Sequence, residues 1–485
     1  MIAERLRKAV LQAAIQGKLT QQLPQDGDAR DLLAEITAEK EQLIREGKIK
    51  RQKPLPEITE DEIPFEIPEN WCWVRLGTVT HNHGQKVPDD VFTYIDISSI
   101  DNQANKLGSI SKVLSPAQAP SRARKVVKYG DVIYSTVRPY LHNICIVDKE
   151  IIPEPIVSTG FAVVTTGVEL ANRYLFRVFV SPMFDSYAND AENSKGVAYP
   201  AINDQRFQRA PIPLPPLSEQ QRIVAKLEEI LPQIDKLQAV EEELAKLQDE
   251  FPQKLKNSLL QAAIQGKLTE QLPEDGDARE LLAEIETEKQ RLIKEGKIKK
   301  QKLLPAITQD EIPFEIPENW CWVWLGEVSE VSAGTTPKAH YVSTRGVVPF
   351  YKVADMNLSG NEIEMNESSC FLAGSYKGRL TPFPSVIYPK NGGAVFTNKR
   401  RIVSRECLVD LNTGYCSPVI LSVSYLYFWL MSVDFALISA GTALPTVSAS
   451  TIKDLLLPLP PLSEQQRIVA KLEELLPLCD ALDVQ

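Results

Sequence analysis

Three clusters in the sequence carry cations, the second mixing them with aromatic and amide side chains and the third with amides, which suits reading DNA. Arg122, Arg124, Lys125 and Lys128 form the first. Arg138-Pro139-Tyr140, followed by His142-Asn143, forms the second. Lys390-Asn391-Gly392-Gly393 leads into Asn398-Lys399-Arg400-Arg401 to make the third, and Lys352, well upstream of it, is a further candidate cation. A guanidinium offers paired donors that match guanine, an Asn amide matches adenine, and Lys chiefly positions phosphate. Gly392 and Gly393 would let backbone approach a ligand closely. For any one of these residues a plain solvated basic face is the simpler reading. As groups they point to DNA contact.

Catalytic patterns are missing. Gln16-Gly17-Lys18-Leu19-Thr20 lacks the earlier glycine of a phosphate loop. Pro215-Pro216 stand between Leu214 and Leu217, so they do not form the Asn/Asp-Pro-Pro-aromatic tetrad of an amino-methyltransferase. No serine sits in a Gly-x-Ser-x-Gly elbow. His81-Asn82-His83 has no further ligands at metal spacing and reads as a solvated loop pair. Seven cysteines form no CxxC pair, which suits a reduced, cytoplasmic setting. No apolar leader opens the chain, and Val419–Leu430 is too short to span a bilayer and reads as a buried helix. We expect no catalytic, cofactor or metal residue in this chain.

The elements that position these clusters are revealed by an internal repeat. Residues 11–79 recur as 260–328 with 55 of 69 positions identical, too many for two independent solutions to one fold. Leu214–Glu229 recurs as Leu459–Glu474. Between these blocks lie two divergent segments, 80–210 and 329–455, which share only a skeleton: Tyr94-Ile95-Asp96 against Tyr351 to Asp355, Tyr174-Leu175-Phe176 against Tyr425-Leu426-Tyr427, and Gly196 against Gly441. The expected parts are therefore a constant segment with linker (1–79), a first variable domain (80–210), a central constant region (211–328), a second variable domain (329–455) and a constant helix (456–485). Joining the two ends would rebuild most of a second central block, as in a closed pseudo-twofold object cut open in one connector.

The constant parts read as helix. Ser218-Glu219-Gln220-Gln221 fits a capping box, and apolar residues at 223, 227, 230, 234, 237, 240, 244, 247, 251, 255 and 259 give a coiled-coil seam. Pro232 and Pro252 predict a kink or break. The rebuilt terminal block is the expected antiparallel partner. A second amphipathic helix is predicted over Ala29–Glu46, with a copy over Ala278–Glu295. The variable domains mix short strands (Val91–Ile97, Asp131–Val137, Ser385–Tyr388) with late helices (170–190 and 421–439). Trp71, Trp73, Trp320 and Trp322 read as core or docking residues. The fold class expected is α+β. The 485 residues carry a net charge of −10, yet the variable domains sum to +3, so the constant parts hold −13. Summed charge therefore does not exclude DNA.

With these blocks in view, the chain resembles the specificity subunit of type I restriction-modification systems over essentially its whole length. The resemblance rests on the doubled Pro213–Val224 and Pro458–Val469 blocks, on Gln12–Leu19 and Gln261–Leu268, and on Ile67–Gly77 and Ile316–Gly326. It implies two target-recognition domains, each reading half of a bipartite site in double-stranded DNA. It implies an antiparallel coiled coil that fixes their spacing and docks two modification (adenine methyltransferase) subunits. It further implies two restriction subunits for translocation and cleavage. S-adenosylmethionine would bind the modification subunits, and ATP and magnesium the restriction subunits. The competing reading is a coiled-coil interaction adaptor without DNA specificity.

Overall fold

The computed structural model describes residues 1–108, 112–190, 201–300, 304–441 and 444–482. Gly196 lies outside them. The chain divides into two units, Met1–Ala245 and Lys246–Gln485, each with its own core.

In the first unit, α1 (Ile2–Ile15) buries Ala3, Leu11, Ala14 and Ile15, and α2 (Ala29–Arg45) starts where the Asp28 side chain accepts the Arg30 N–H. Strand β1 (Cys72–Arg75), still in the constant part, leads into the variable segment. That segment contains β2 (Phe92–Ile95), β3 (Lys112–Leu114), β4 (Ala123–Val126), β5 (Val132–Ser135), β6 (Ile144–Ile146), β7 (Pro155–Ser158) and β8 (Phe161–Val164). Helices α3 (Glu169–Phe179) and α4 (Pro182–Asn189) follow, then β9 (Pro211–Leu214). One sheet has the order β3-β2-β7-β4 with β2 and β7 parallel; the other is β8-β5-β6. The helix expected over 170–190 is broken at Ser181, whose hydroxyl caps α4 ahead of Pro182. Its face closes on an aromatic cluster of Tyr134, Phe179, Phe184 and Phe207. The segment's two ends meet again, because β9 pairs antiparallel with β1, Cys72 opposite Leu214 and Arg75 opposite Pro211.

Helix α5 (Leu217–Ile264) is continuous through Pro232 and Pro252, so neither proline breaks it. The capping box is a correction. The helix already includes Leu217, and the Ser218 hydroxyl turns outward to donate to the Asp26 carboxylate at 3.0 Å. Within the first unit α1 runs antiparallel to the start of α5: Glu241 accepts the Ile2 N–H at 2.8 Å, Arg7 pairs with Asp235, and Thr20 reaches Glu219. The seam is buried at Ile223, Leu227 and Ile234, whereas Val240, Leu244, Leu247 and Phe251 are exposed.

The second unit repeats the plan with α6 (Ala278–Lys294), β10 (Cys321–Trp324), β11 (Ser329–Ala333), β12 (Phe350–Tyr351), β13 (Ser385–Pro389), β14 (Arg401–Val403), β15 (Leu408–Val409) and β16 (Thr413–Pro418). Helices α7 (Val423–Ser432) and α8 (Phe435–Ile438), strand β17 (Leu456–Leu459) and α9 (Leu462–Leu482) complete it. The single helix expected over 421–439 divides at Asp434, which caps α8 through the Ala436 N–H. Its sheet runs β11-β16-β13-β14, and β12 and β15 form a parallel pair as β2 and β7 do. β17 closes on β10 as β9 does on β1. The Tyr hydroxyl predicted to match between the domains makes the same bond in each: Tyr174 to the Pro213 carbonyl and Tyr425 to that of Pro458. No described helix is long and apolar enough to cross a membrane.

Candidate nucleic-acid interface

Each variable segment stands on a buried polar joint built from constant residues. Glu219 is fully buried and accepts from the Trp71 indole (2.7 Å), the Gln22 amide (2.7 Å) and the Thr20 hydroxyl (3.0 Å). Glu464 repeats this with Trp320, Gln271 and Thr269. Beside it Asp26 takes two bonds from the Arg222 guanidinium, at 2.6 and 2.7 Å, and Asp275 takes two from Arg467. These guanidinium bonds hold both carboxyls down at about 2, against the opposing effect of burial. Gly17 and Gly266 complete the joint. Each has a left-handed φ, and a Cβ there would lie 2.5 or 2.4 Å from Pro68 or Pro317. Trp71 and Trp320 are thus core residues, while Trp73 and Trp322 pack on Phe65 and Phe314.

In the first variable segment the structure sorts the basic candidates. Arg122 is exposed at the start of β4, and its carbonyl accepts from Thr159 in the turn between β7 and β8. The loop after β5 begins at the same turn, since the Thr136 N–H donates to Gly160. Arg122 is thereby gathered with the loop carrying Arg138 and Tyr140, the latter 47% exposed. Lys128 is exposed in the turn joining β4 to β5, at the other end of β4 from Arg122. Arg124 is half-buried and bonds the Ala123 carbonyl. Two readings are corrected. Asn143 is buried in the core edge, its carbonyl accepting from Ser135, so its side chain is not presented outward. Lys125 donates to the Phe161 carbonyl at 2.6 Å and ties β4 to β8.

In the second segment Arg400 is the clearest correction. It is fully buried, its guanidinium carbon lies 3.5 Å from the Phe435 ring centre, and it donates to the Lys399 and Val433 carbonyls. Burial lowers its pKa to about 10. Arg401 is half-buried and is spent on the Arg400 and Met356 carbonyls. Lys399 is bonded to Asn357 in the turn that follows Lys352, and Lys352 itself is exposed, 3.3 Å from the Cys370 thiol. These contacts bring Lys352, Lys399 and the 393–398 turn to one side of the domain. Asn391 bonds Asn412, and Lys390 bonds the Asn412 carbonyl through its N–H. Asn398 is exposed but donates to the Met431 carbonyl at 3.1 Å.

The His81–His83 pair is not a solvated loop. The His81 N–H donates to the Thr165 carbonyl and burial pushes its ring down to about 4, while His83 lies 3.0 Å from the Asp131 carboxylate. Among the described residues no three metal-ligating side chains converge. Sequence reasoning missed the residues that fasten the loops: Asn102 and Asn105, whose amides donate to the Leu141 and His142 carbonyls, and Asp185, which receives His142 at 2.7 Å. A left-handed Asn105 is visible only in the backbone.

Two polar-jointed platforms, each holding a domain built on a matching hairpin and parallel strand pair with unlike loops, define a duplicated recognition subunit. The family model described as "Type I restriction modification DNA specificity domain" matches residues 106–246 and 317–483, and the chain belongs to that family as a DNA specificity subunit. It is 30% identical to the type I restriction enzyme EcoAI specificity subunit of Escherichia coli, over 99% of this chain and 90% of that one. It is 32% identical to the Escherichia coli EcoEI specificity subunit, over 69% of this chain and 63% of that one. The crystal structure of the HsdS subunit from Thermoanaerobacter tengcongensis superposes with a TM-score of 0.50 at 26% identity, covering 86% of this chain and 92% of that one. The role of such a subunit is DNA sequence choice rather than catalysis.

Proposed function

We propose that segments 80–210 and 329–455 are target-recognition domains, each reading one half of an asymmetric, bipartite DNA site. The constant parts, 1–79, 211–328 and 456–485, form the frame between them. The observation that carries this reading is the pairing of one joint and one hairpin with unlike loop residues: Arg122, Arg138 and Tyr140 in one domain, Lys352, Lys390, Asn391, Asn398 and Lys399 in the other. Arg400 and Asn143 are set aside because they are buried. Lys125, Arg124 and Arg401 position the loops, and Lys128 contributes phosphate attraction at most.

The constant helices act as an antiparallel coiled coil that sets the spacing of the half-sites and docks two modification subunits, with two restriction subunits completing a cytoplasmic assembly. The antiparallel contacts of α1 with the start of α5 support this arm of the coil. Adenine methylation and ATP-dependent cleavage belong to those partners, together with S-adenosylmethionine, ATP and magnesium.

The test is methylation mapping of native DNA with and without this gene. One split, asymmetric methyladenine motif should disappear in its absence. Replacing residues 80–210 by the corresponding domain of a relative should change one half of that motif and leave the other half unaltered. A motif that persists without the gene, or a change in both halves, would refute the proposal.

A further inference from the structure

The two variable domains, unlike in sequence, carry an aromatic side chain at the same register position of one hairpin. Val132 lies opposite Ile146 in the β5–β6 hairpin, and Val386 lies opposite Ile402 in the β13–β14 hairpin. With the hairpins aligned on these pairs, His142 and Asn398 occupy the same step before the return strand. Both have left-handed backbone, at φ 52° and 48°, although neither is glycine. Each follows a short 3₁₀ turn, Pro139–Leu141 in one domain and Gly393–Thr397 in the other. Three residues before the left-handed position the side chain is buried, as Pro139 and as Val395. Two residues before it the side chain is aromatic and points out, as Tyr140 and as Phe396, 47% and 56% exposed.

A left-handed residue with a side chain costs about 1 kcal/mol or more and persists only where its surroundings impose it. Here they do. The first loop is held by Asp185 on His142, by Asn105 on the His142 carbonyl and by Asn102 on that of Leu141. The second is held by the Asn398 amide on Met431 and by the Gly392 N–H on the Pro445 carbonyl. A single exposed aromatic is ordinary. Two at one position, on rigid turns whose other residues have diverged, call for a common use.

We propose that Tyr140 and Phe396 are a matched pair of DNA contacts, each laying its ring against or between bases of its own half-site. Apolar side chains can wedge between the base steps of a duplex and partly unstack them, and every base so uncovered has a π-face, so this contact tolerates unlike sequences. The neighbouring polar residues, Arg138 in one loop and Lys390 and Asn391 in the other, are then free to differ and to choose bases. This inference rests on the placement of DNA against these loops.

The experiment uses the full chain assembled with its modification subunits and the mapped target duplex, with 2-aminopurine moved through each half-site. Tyr140→Ala should remove the emission change from one half only, and Phe396→Ala from the other only. Each should weaken binding about ten-fold without altering the slope of log affinity on log salt. Tyr140→Phe and Phe396→Tyr should restore both readouts. Arg122→Ala combined with Lys399→Ala is the control for DNA placement, because losing two phosphate contacts reduces the salt slope by about 1.8. If the control slope falls while both alanine variants behave as wild type, the aromatic contact is wrong and the DNA-facing loops stand. If the control slope is unchanged as well, both fall. Loss of modification subunits from the alanine variants would make the rings a protein-docking surface and overturn the inference.

Discussion

Arg400 illustrates how one side chain changes meaning with its surroundings. Stacked on Phe435 and bonded to two carbonyls, it cements the β13–β14 hairpin to α8. Arg400→Ala should lower the stability of the second unit by about 2–3 kcal/mol in urea unfolding, through lost packing and freed carbonyls. The salt slope of DNA binding should stay as in wild type. A reduced slope at unchanged stability would mean that the guanidinium reaches phosphate after all. The joint carboxylates give a second residue-scale expectation. Asp26 and Asp275 sit at about 2, below the ordinary carboxylate value of 3.8. A depressed pKa supplies stability that is present in full above 3.8 and is lost as pH falls through about 2. Asp26→Asn together with Asp275→Asn should therefore flatten the acid limb of a stability–pH curve between those values, and an unflattened limb would count against the Arg222 and Arg467 pairs. The cations themselves were legible in the sequence, but their burial was not. Nothing near Arg400 in the chain announces Phe435, and nothing near Asn143 announces the strand edge that covers it.

At the scale of elements, local signals served well wherever one turn of chain decides the outcome. The amphipathic helices expected over Ala29–Glu46 and Ala278–Glu295 form as α2 and α6, and Asp28 and Asp277 cap them. The strand order of the variable domains depends on partners far along the chain, so it was not readable. Nor was the Ser218 contact, because Asp26 competes for its hydroxyl from a distant loop. Helix α1 has more than one role. It lines α5 and also buries four residues in the first core. Deleting residues 1–20 should loosen assembly with modification subunits, and it should also expose the core, remove Thr20 from Glu219 and leave the first unit sensitive to protease. Unchanged assembly and unchanged proteolysis of the truncated chain would refute both expectations.

The whole molecule is two units with separate cores, and damage to one joint should stay in its own unit. Trp71→Phe leaves Glu219 one donor short in the first unit, and Trp320→Phe does the same to Glu464 in the second. Each should cost about 1–3 kcal/mol. Hydrogen exchange read by mass spectrometry should quicken in residues 1–245 for the first variant and in 246–485 for the second. Faster exchange across both units from either change would show that they unfold together. The duplicate plan is legible in the residues themselves, since 55 identical positions in 69 require the two halves of the frame to fold alike. A further consequence follows from the short ribbons β1–β9 and β10–β17. Each variable segment leaves the frame beside the point at which it arrived. A lineage can therefore exchange one segment as a cassette without redesigning the other. The number of addresses open to it grows as the product of the available first and second cassettes, not as their sum.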